Sequence, residues 1–446
     1  MGLLAACGGP AEPGGRSVVL FNGRIITMDD GLGVAEAVAI ANERILRVGT
    51  SRDVLELAAP GTEMVDLEGQ VVLPGIVDAH THIFNDAEQH LSLDLEGAQG
   101  LALENGITTL GDLYVTPEFL AKMNAFESSG KLKVRTSLYL THVTNCGAEQ
   151  QGNWWTAHPP TRRVGERLRI GGIKVFMDGG TCGRPAVSVE FEPGSGFGDL
   201  HRSAGDVAKA VATAEQTGHQ TVIHAIGDRA VQAAQDGIAL GLQGRPNTLR
   251  HRIDHNALVP ASLIPRYAEI GIQPVVFGHF PLLREMLPDP GACVPTHRNE
   301  FYEAFLGNTR QLLDQLPGLR VAWHGDDPWI GPVSPFRELY NMVTRVRRRV
   351  DGSICTPADW QLKTRITVEE GLRMMTRNSA YALFREDEVG SLEPGKLADL
   401  IVVTANPFEV APDDLWDVEV TMTMIGGEVV FCRTQPAPLC PDGQPD

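Results

Sequence analysis

Two histidines stand two residues apart behind an apolar run, in the stretch LPGIVDAHTHIFND that spans residues 73–86. Side chains on a β-strand alternate between its two faces, so His80 and His82 are predicted to project together from a strand end. Two neutral imidazoles placed in this way can bind one divalent cation. A His-x-His pair alone is a weak signal, because polar side chains at a strand end more often have a structural role.

Three further polar residues follow other predicted strands. His224 comes late in the fifth strand, His255 late in the sixth, and Asp327 just after the eighth. In a parallel barrel the carboxyl ends of all strands lie on one face, where active sites assemble. Imidazole and carboxylate ligands suit a first-row divalent ion such as Zn²⁺, with Mn²⁺, Fe²⁺ or Co²⁺ as alternatives. The sequence therefore predicts a site for one or two metal ions on this face.

A lysine interrupts the otherwise apolar fourth strand in the stretch GIKVFMDGG. Lys174 is costly to bury unless its charge is neutralised or paired. One interpretation is an ion pair with Asp178 or another barrel carboxylate. The other is that burial lowers the pKa of the amine, which then reacts with CO₂ to give a lysine carbamate that bridges two metal ions. The neighbouring histidines favour the carbamate.

The elements that position these residues alternate between short apolar strands and periodic helices, which predicts a parallel sheet with helical crossovers. One helix is predicted to begin at Ser203, with Asp206 in capping-box spacing, and to end at Gly218. Eight strands suggest a barrel. They are GIVDAHTH, GITTLGDL, KVRTSLYLTH, GIKVFMD, QTVIHAIG, HRIDHN, GIQPVVF and RVAWHGDD.

The predicted barrel spans residues 75–384. Short strands with turn signals precede it and follow it. The segments 17–74 and 385–433 each offer too few strands to bury a face alone, so we expect them to pair into one β module. The tail at residues 434–446 is predicted to be disordered. The segment 1–16 is predicted to be either a disordered tail or the remnant of a lipoprotein signal.

The ordered motifs DAHTH, GIKVFMDGG, HAIGDRAV, RIDHN, HGDDP and VGSLEPGKLADLIVV resemble the amidohydrolase superfamily, in the branch similar to N-substituted formamide deformylases. The resemblance covers nearly all of residues 17–432. It implies an α/β fold in which a distorted TIM (β/α)8 barrel carries the metals and the terminal segments form a small β-sandwich. The implied metal ligands are His80 and His82 for one ion, Lys174 as the bridging carbamate, His224 and His255 for the second ion, and Asp327.

The same resemblance implies a metal-dependent hydrolase that uses a metal-activated hydroxide to cleave a C–N bond in a small amide, formamide, carbamate or cyclic amide. Asp327 would move the proton, and Lys174 and His255 complete the catalytic set. Asp326 is the adjacent alternative to Asp327, which Pro328 favours as the match to the family position. Lactone or ester hydrolysis and deamination use the same chemistry. A barrel scaffold without catalysis is the opposing class, which the complete ligand set disfavours.

Several residues near predicted strand ends or in long loops are candidates for substrate binding. Adjacent tryptophans in the loop after the third strand could stack on an apolar group, an arginine after the fourth could clamp a carboxylate, and further histidines could donate to an oxyanion. These candidates are Trp154, Trp155, Arg184, His142, His251 and His324.

Composition limits the partners and the location. A formal net charge of −18, from 56 acidic and 38 basic residues, disfavours nucleic acid. No apolar run reaches the roughly 18 to 20 residues that a transmembrane helix needs. The seven cysteines show no paired spacing typical of a zinc knuckle or a disulfide framework, which indicates a reducing origin or indifference to redox. The expected location is cytoplasmic, with a bacterial envelope lipoprotein anchored through Cys7 as the alternative. The expected partners are a small-molecule substrate and, in a homo-oligomer, further copies of the chain.

Overall fold

In the computed structural model, the first described residues form short strands of two small sheets. The structure describes residues 17–433 apart from 32, 151, 181, 192, 279–306, 308 and 349–352. The predictions for Cys7 and for both tails therefore lie outside the described residues. The first elements are β1 (Ser17–Phe21), β2 (Arg24–Ile26), β3 (Val34–Ala35), β4 (Ala37–Ala41), β5 (Arg44–Gly49), α1 (Ser51–Leu55), β6 (Glu63–Asp66) and β7 (Val71–Pro74).

Eight parallel strands follow and form the barrel: β8 (Ile76–Thr81), β9 (Ile107–Val115), β10 (Arg135–Thr141), β11 (Leu168–Phe176), β12 (Gln220–Ala225), β13 (Arg252–His255), β14 (Gln273–Phe277) and β15 (Ala322–His324). Each corresponds to one predicted strand, and each is hydrogen-bonded to the next in chain order. The amide of His82 donates to the carbonyl of Asp327 at 2.8 Å, and the amide of Asp326 donates to the carbonyl of His80 at 3.1 Å. These bonds join the first strand to the segment that follows the last.

Helices cover the barrel. They are α2 (Leu95–Glu104), α3 (Pro117–Ser128), α4 (Ala204–Thr217), α5 (Asp228–Leu242), α6 (Ile264–Ile270), α7 (Thr309–Gln315), α8 (Pro335–Thr344), α9 (Asp359–Leu362), α10 (Val368–Arg373) and α11 (Ser379–Ala382). The predicted capping box of Ser203 and Asp206 is present at the start of α4, which ends at Gly218 with φ 80°. Across the described part of the chain, no helix combines the length and apolar character needed to cross a bilayer.

The last strands return to the sheets of the N-terminal segment. A two-stranded hairpin of β16 (Arg347–Arg348) and β17 (Ile354–Cys355) precedes β18 (Leu400–Val403), β19 (Val420–Ile425) and β20 (Glu428–Cys432). One sheet has the order β5-β4-β1-β6 and the other β20-β19-β18-β7-β2-β3. Apolar side chains from both sheets form one core, including Leu20, Ile40, Leu400 and Met422. The predicted class, a TIM barrel beside a small β-sandwich, is confirmed; the domain boundaries stay predictions.

Buried ion pairs join the amino-terminal end of the barrel to the segment that leads into the sandwich. The guanidinium of Arg135 donates to both carboxylate oxygens of Asp399, at 2.6 and 3.0 Å. Arg169 pairs with Glu388, and Arg385 also lies 3.4 Å from Glu388. Each of these arginines is nearly inaccessible to solvent, so the charges depend on one another rather than on water.

The cysteines differ from the sequence prediction. Cys146 and Cys182 form a disulfide bond across 36 residues of sequence. Cys355 and Cys432 each take part in a disulfide bond as well. The prediction from cysteine spacing, which indicated no disulfide framework, is therefore wrong for these residues. Sequence spacing could not show the first bond, because Cys146 follows β10 and Cys182 follows β11. Only the parallel pairing of these two strands brings their loops together.

Candidate metal and active site

Four polar side chains converge at the carboxyl end of the barrel. Nε2 of His80 lies 3.3 Å from Nε2 of His82, 3.4 Å from Nζ of Lys174 and 3.2 Å from Oδ1 of Asp326. Nε2 of His82 lies 3.4 Å from the same carboxylate oxygen. One ligand atom each from His80, Asp326, His255 and His324 lies within 4.8 Å of the other three.

Three further imidazoles surround this group. The ring of His255 is centred 4.7 Å from that of His80 and 4.3 Å from that of His224. The ring of His324 stacks on His80 at 4.9 Å. Among the residues that the structure describes, neither ring nitrogen of His255 or of His324 has a hydrogen-bond partner, although both residues are buried. Buried polar atoms without partners are unusual and require an explanation.

A divalent cation fits this arrangement. Burial lowers the pKa of His224, His255 and His324 well below the usual range, so these rings are neutral and offer lone pairs. Nδ1 of His80 and Nδ1 of His82 face the acceptor oxygens of Asp254 and Asn85, so their Nε2 lone pairs face one another at 3.3 Å with no proton between them. A metal ion would supply the missing partner for these nitrogens.

A neighbouring carboxylate fixes the orientation of His80. Nδ1 of His80 donates to Oδ2 of Asp254 at 2.7 Å, and Nε of Arg252 lies 3.2 Å from the other oxygen of Asp254. Burial alone would raise the pKa of Asp254, but Arg252 and His80 lower it to about 2. The ionised carboxylate holds the proton of His80 on Nδ1, so the lone pair on Nε2 faces the cluster. This pairing is typical of metal-bound histidines.

His82 and His224 are held by loop residues. Nδ1 of His82 lies 3.1 Å from Oδ1 of Asn85, which leaves Nε2 directed at the cluster. Nε2 of His224 lies 3.4 Å from the carbonyl of Gly179 and 3.6 Å from Asp178. Asp178 itself accepts three backbone hydrogen bonds from neighbouring loops, at 2.8 to 3.1 Å. Its partners are backbone amides, so an ion pair between Lys174 and Asp178 has no counterpart among the described contacts. The other barrel carboxylates of that interpretation are Asp254 and Asp326, whose charges raise the pKa of Lys174 against the effect of burial.

The two adjacent aspartates after β15 have different surroundings. Asp326 has a positive φ of 58°, which turns its carboxylate toward the imidazoles. Burial raises its pKa, but the neighbouring histidines outweigh this effect and hold it well below the usual range. The carboxylate of Asp327 points elsewhere: a Cβ on Gly325 would lie 2.5 Å from its Oδ2 and 3.1 Å from Asp78. The carboxylate beside the imidazoles is therefore that of Asp326, whereas the sequence predicted Asp327 as the ligand.

Lys174 lies at the base of the cluster and is fully buried. Its Nζ is 4.7 Å from the centre of the Phe176 ring. Burial lowers the pKa of Lys174 to about 8, so a substantial fraction of the amine is unprotonated near neutral pH. This is the form of lysine that reacts with CO₂.

A cavity of about 240 Å³ opens onto the cluster. Its wall combines cluster residues with aromatic, amide and acidic side chains that the sequence did not single out. The lining residues are His82, Asp86, Gln89, Tyr114, Asn145, Phe176, His224, His255, Asp326 and Trp329. Most of them lie in loops after the strands or in the π-helical turn at Ala87–Leu91, where no periodic pattern marks the face of a side chain.

Several predicted substrate-binding residues do not line this cavity. Trp155 is fully buried against His142 and His219, and Trp154 donates to the carbonyl of Thr141 at 2.9 Å. Both tryptophans therefore anchor their loop to the barrel. Arg184 is exposed and donates to the carbonyl of Ser195.

Two of the three predicted oxyanion donors also lie away from the cavity. His142 lines a separate pocket of about 20 Å³ beside α4. His251 precedes β13 at the opposite end of the barrel, where it accepts from the amide of Thr221 at 2.9 Å and contacts Glu215 at 3.0 Å. Only His324 joins the cluster.

Asp254 is the main site residue that the sequence argument missed. It precedes His255 in the strand HRIDHN, so alternation places the two side chains on different faces. A carboxylate inside an apolar strand was a signal of the same kind as Lys174, because burial is costly without a charged partner. Its partner, Arg252, lies two residues earlier in the same strand.

Comparisons with known proteins agree with this geometry. A family model described as the amidohydrolase family matches residues 101–431, which is well over half of the chain. The chain is 24% identical to an N-substituted formamide deformylase from Arthrobacter pascens over 74% of its own length but spans only 58% of that relative. It is 24% identical to an imidazolonepropionase from Bacillus cytotoxicus, covering 93% of this chain and 97% of that protein. A solved structure described as an uncharacterized metal-dependent hydrolase from Pyrococcus furiosus superposes with a TM-score of 0.70 at 20% identity. The superposition covers 88% of this chain and 100% of that one, so the two share a fold.

Proposed function

Because this chain belongs to the amidohydrolase family, we propose that it is a metal-dependent hydrolase that cleaves a C–N bond in a small amide, formamide, carbamate or cyclic amide. The observation that carries the proposal is the buried cluster in which ligand atoms of His80, His255, His324 and Asp326 lie within 4.8 Å of one another. The names of two relatives, a formamide deformylase and an imidazolonepropionase, support an open-chain or a cyclic amide as the substrate.

The residues that would hold one or two divalent ions are the six predicted ligands with one replacement and one addition. Asp326 takes the place of Asp327, and His324 joins the set because both of its nitrogens lie buried without a partner. The full set is His80, His82, Lys174, His224, His255, His324 and Asp326. Bound zinc or a similar ion would polarise the substrate carbonyl and lower the pKa of a water molecule.

Asp326 is the proposed general base. Its carboxylate lines the cavity, with Oδ1 3.2 Å from Nε2 of His80 and 3.4 Å from Nε2 of His82. It accepts a proton from the attacking water as the new C–O bond forms at the carbonyl carbon. The same carboxyl group then delivers that proton to the nitrogen as the C–N bond breaks, which yields a carboxylic acid and an amine.

Lys174 is the proposed source of a carbamate. Its unprotonated amine adds to the carbon of CO₂ and releases one proton, which converts a neutral amine into an anion with two oxygen ligands. The lowered pKa of about 8 supports this step. The conversion also accounts for a lysine that lies fully buried with its Nζ 3.4 Å from Nε2 of His80.

A metal titration combined with a substrate screen tests the proposal. Purified protein loaded with Zn²⁺ or Mn²⁺ is assayed on N-benzylformamide, an N-acyl amine, a carbamate and a cyclic imide, with metal content measured by plasma mass spectrometry. We expect near-stoichiometric metal, hydrolysis of at least one substrate, loss of activity with a chelator and its return with added metal. A stable fold that binds no metal, or hydrolysis that is insensitive to complete metal removal, would overturn the proposal.

A further inference from the structure

An acidic side chain in the cavity wall has no structural role in its own segment. Asp86 precedes the π-helical turn at Ala87–Leu91, a position where an aspartate normally caps the helix, but its side chain makes no capping hydrogen bond. Its carboxylate instead lines the cavity and accepts a hydrogen bond of 2.8 Å from Nε1 of Trp329. The side chain is 13% exposed, so it is largely desolvated yet open to the cavity.

The described residues offer Asp86 no lysine or arginine that would neutralise its charge. Among the residues that the structure describes, its ion-pair partners include no lysine or arginine, and His82 is the nearest basic group, with Nδ1 at 3.9 Å. That nitrogen is already directed at Asn85 at 3.1 Å. The acidic neighbour Glu88, in contrast, forms an ordinary surface pair with Lys122. A partly buried carboxylate without a cation is costly unless a ligand supplies one.

Aromatic side chains line the same cavity. Tyr114 packs edge-on against Phe176 with centroids 6.0 Å apart, and Trp329 packs on His90 at 4.1 Å. The faces of tyrosine and tryptophan attract cations, and a carboxylate beside them strengthens that preference. No arginine or lysine is among the described residues that line the cavity, so they offer no clamp for an anionic substrate.

We propose that Asp86, with Tyr114 and Trp329, forms a subsite for a positively charged group on the substrate, such as a protonated amine or an amidinium. This assignment rests on the proposed function and adds a substrate class to it. The ring of His82 lies between the subsite and the reacting centre. Its Nδ1 is 3.9 Å from Asp86 and its Nε2 is 3.4 Å from Asp326. The substrate is therefore an amide whose cationic group lies a short arm away from the bond that is cleaved.

Equilibrium binding tests the subsite without any need for turnover. Calorimetry on the metal-loaded protein compares benzamidine, which is cationic, with benzamide, which has nearly the same shape and is neutral. A charge-assisted hydrogen bond in a partly desolvated site predicts that benzamidine binds at least about tenfold more tightly. In Asp86→Asn the preference should fall to within about twofold, with metal content unchanged. Equal affinity of benzamidine for wild type and Asp86→Asn would overturn the proposal.

A matched variant and a kinetic series complete the test. Glu88→Gln removes an acid two residues away, outside the cavity, and should leave the benzamidine preference intact; loss of the preference in this variant would point to general surface charge instead. Hydrolysis is then compared for N-benzylformamides that carry a para aminomethyl, ethyl or carboxymethyl group. The highest kcat/KM for the aminomethyl compound supports the subsite, and a preference for the carboxymethyl compound contradicts it. Failure of all three to react would count against the proposed formamide activity, while the binding result would still decide the subsite.

Discussion

The two ends of the barrel both bury charged and polar side chains, but they satisfy them differently. At the amino-terminal end Arg135, Arg169 and Arg385 each meet a carboxylate of Asp399 or Glu388. At the carboxyl end, the ring nitrogens of His255 and His324 have no hydrogen-bond partner among the described residues, and Nε2 of His80 faces Nε2 of His82.

This difference separates polar groups that stabilise the fold from polar groups that are available for chemistry. A buried ion pair is complete within the chain, so removing one partner leaves an uncompensated charge and destabilises the protein. A buried imidazole without a partner is incomplete, and a ligand can supply what is missing. The variants below should therefore affect stability at one end and metal binding or turnover at the other.

The largest effect is expected from Asp326→Asn. The amide keeps the shape of the side chain but cannot accept the proton from water, so kcat should fall by up to about 10⁴-fold while the protein stays folded. Steady-state kinetics and circular dichroism measure the two properties. Asp327→Asn is the matched control, since its carboxylate lies beside Asp78 instead of the imidazoles, and its kcat should change by less than about tenfold. The reverse order of effects would return the catalytic role to Asp327.

Asp399→Ala should have the next largest effect, and on the fold alone. The substitution removes both hydrogen bonds to the buried guanidinium of Arg135 and also the acceptor for the amide of Gly426 at 2.8 Å. Leaving a buried charge without its partner is expected to cost about 3 to 5 kcal/mol of unfolding free energy, measured by denaturant titration. Metal content per folded molecule should not change. A loss of metal without a loss of stability would contradict the division between the two ends.

One physical reason made the eight strands predictable from the sequence. The same reason predicted the convergence of five side chains, His80, His82, Lys174, His224 and His255. Strand alternation and the shared direction of parallel strands determine where a side chain at a strand end lies. The roles of these residues as ligands stay predictions.

Where regular strand geometry ended, the sequence was a weaker guide. Strand β15 ends at His324, and the left-handed backbone of Asp326 breaks the alternation that would have separated Asp326 from Asp327. Loop residues gave no period at all. The indole of Trp155 is buried, and the disulfide bond between Cys146 and Cys182 depends on the pairing of the strands that precede them.

Asp254→Asn should have an intermediate effect, and it is expected first of all on the affinity for the metal. The amide is a weaker acceptor for Nδ1 of His80 and leaves that ring free to change its tautomer, so the affinity for the metal should fall by about 10- to 100-fold. Competition with a chromophoric chelator measures the dissociation constant. Because Arg252 also contacts Asp254, thermal unfolding of the metal-free protein serves as the control for lost stability. Unchanged metal affinity would show that Asp254 does not orient a ligand.

The smallest effect is expected from Ser203→Ala. This variant tests whether a position near the carboxyl end of the barrel is enough for a residue to affect metal binding. Ser203 caps α4, the helix that follows the loop after β11, yet its hydroxyl and the carboxylate of Asp206 satisfy each other and the helix amides. Removing such a cap costs about 1 kcal/mol of unfolding free energy. Ser203→Thr, which keeps the hydroxyl, should recover most of it. Metal affinity and kcat should remain unchanged in both variants, because the cap is complete without a ligand. A clear loss of metal in Ser203→Ala would mean that proximity to the carboxyl end, and not the lack of a protein partner, makes a residue part of the site.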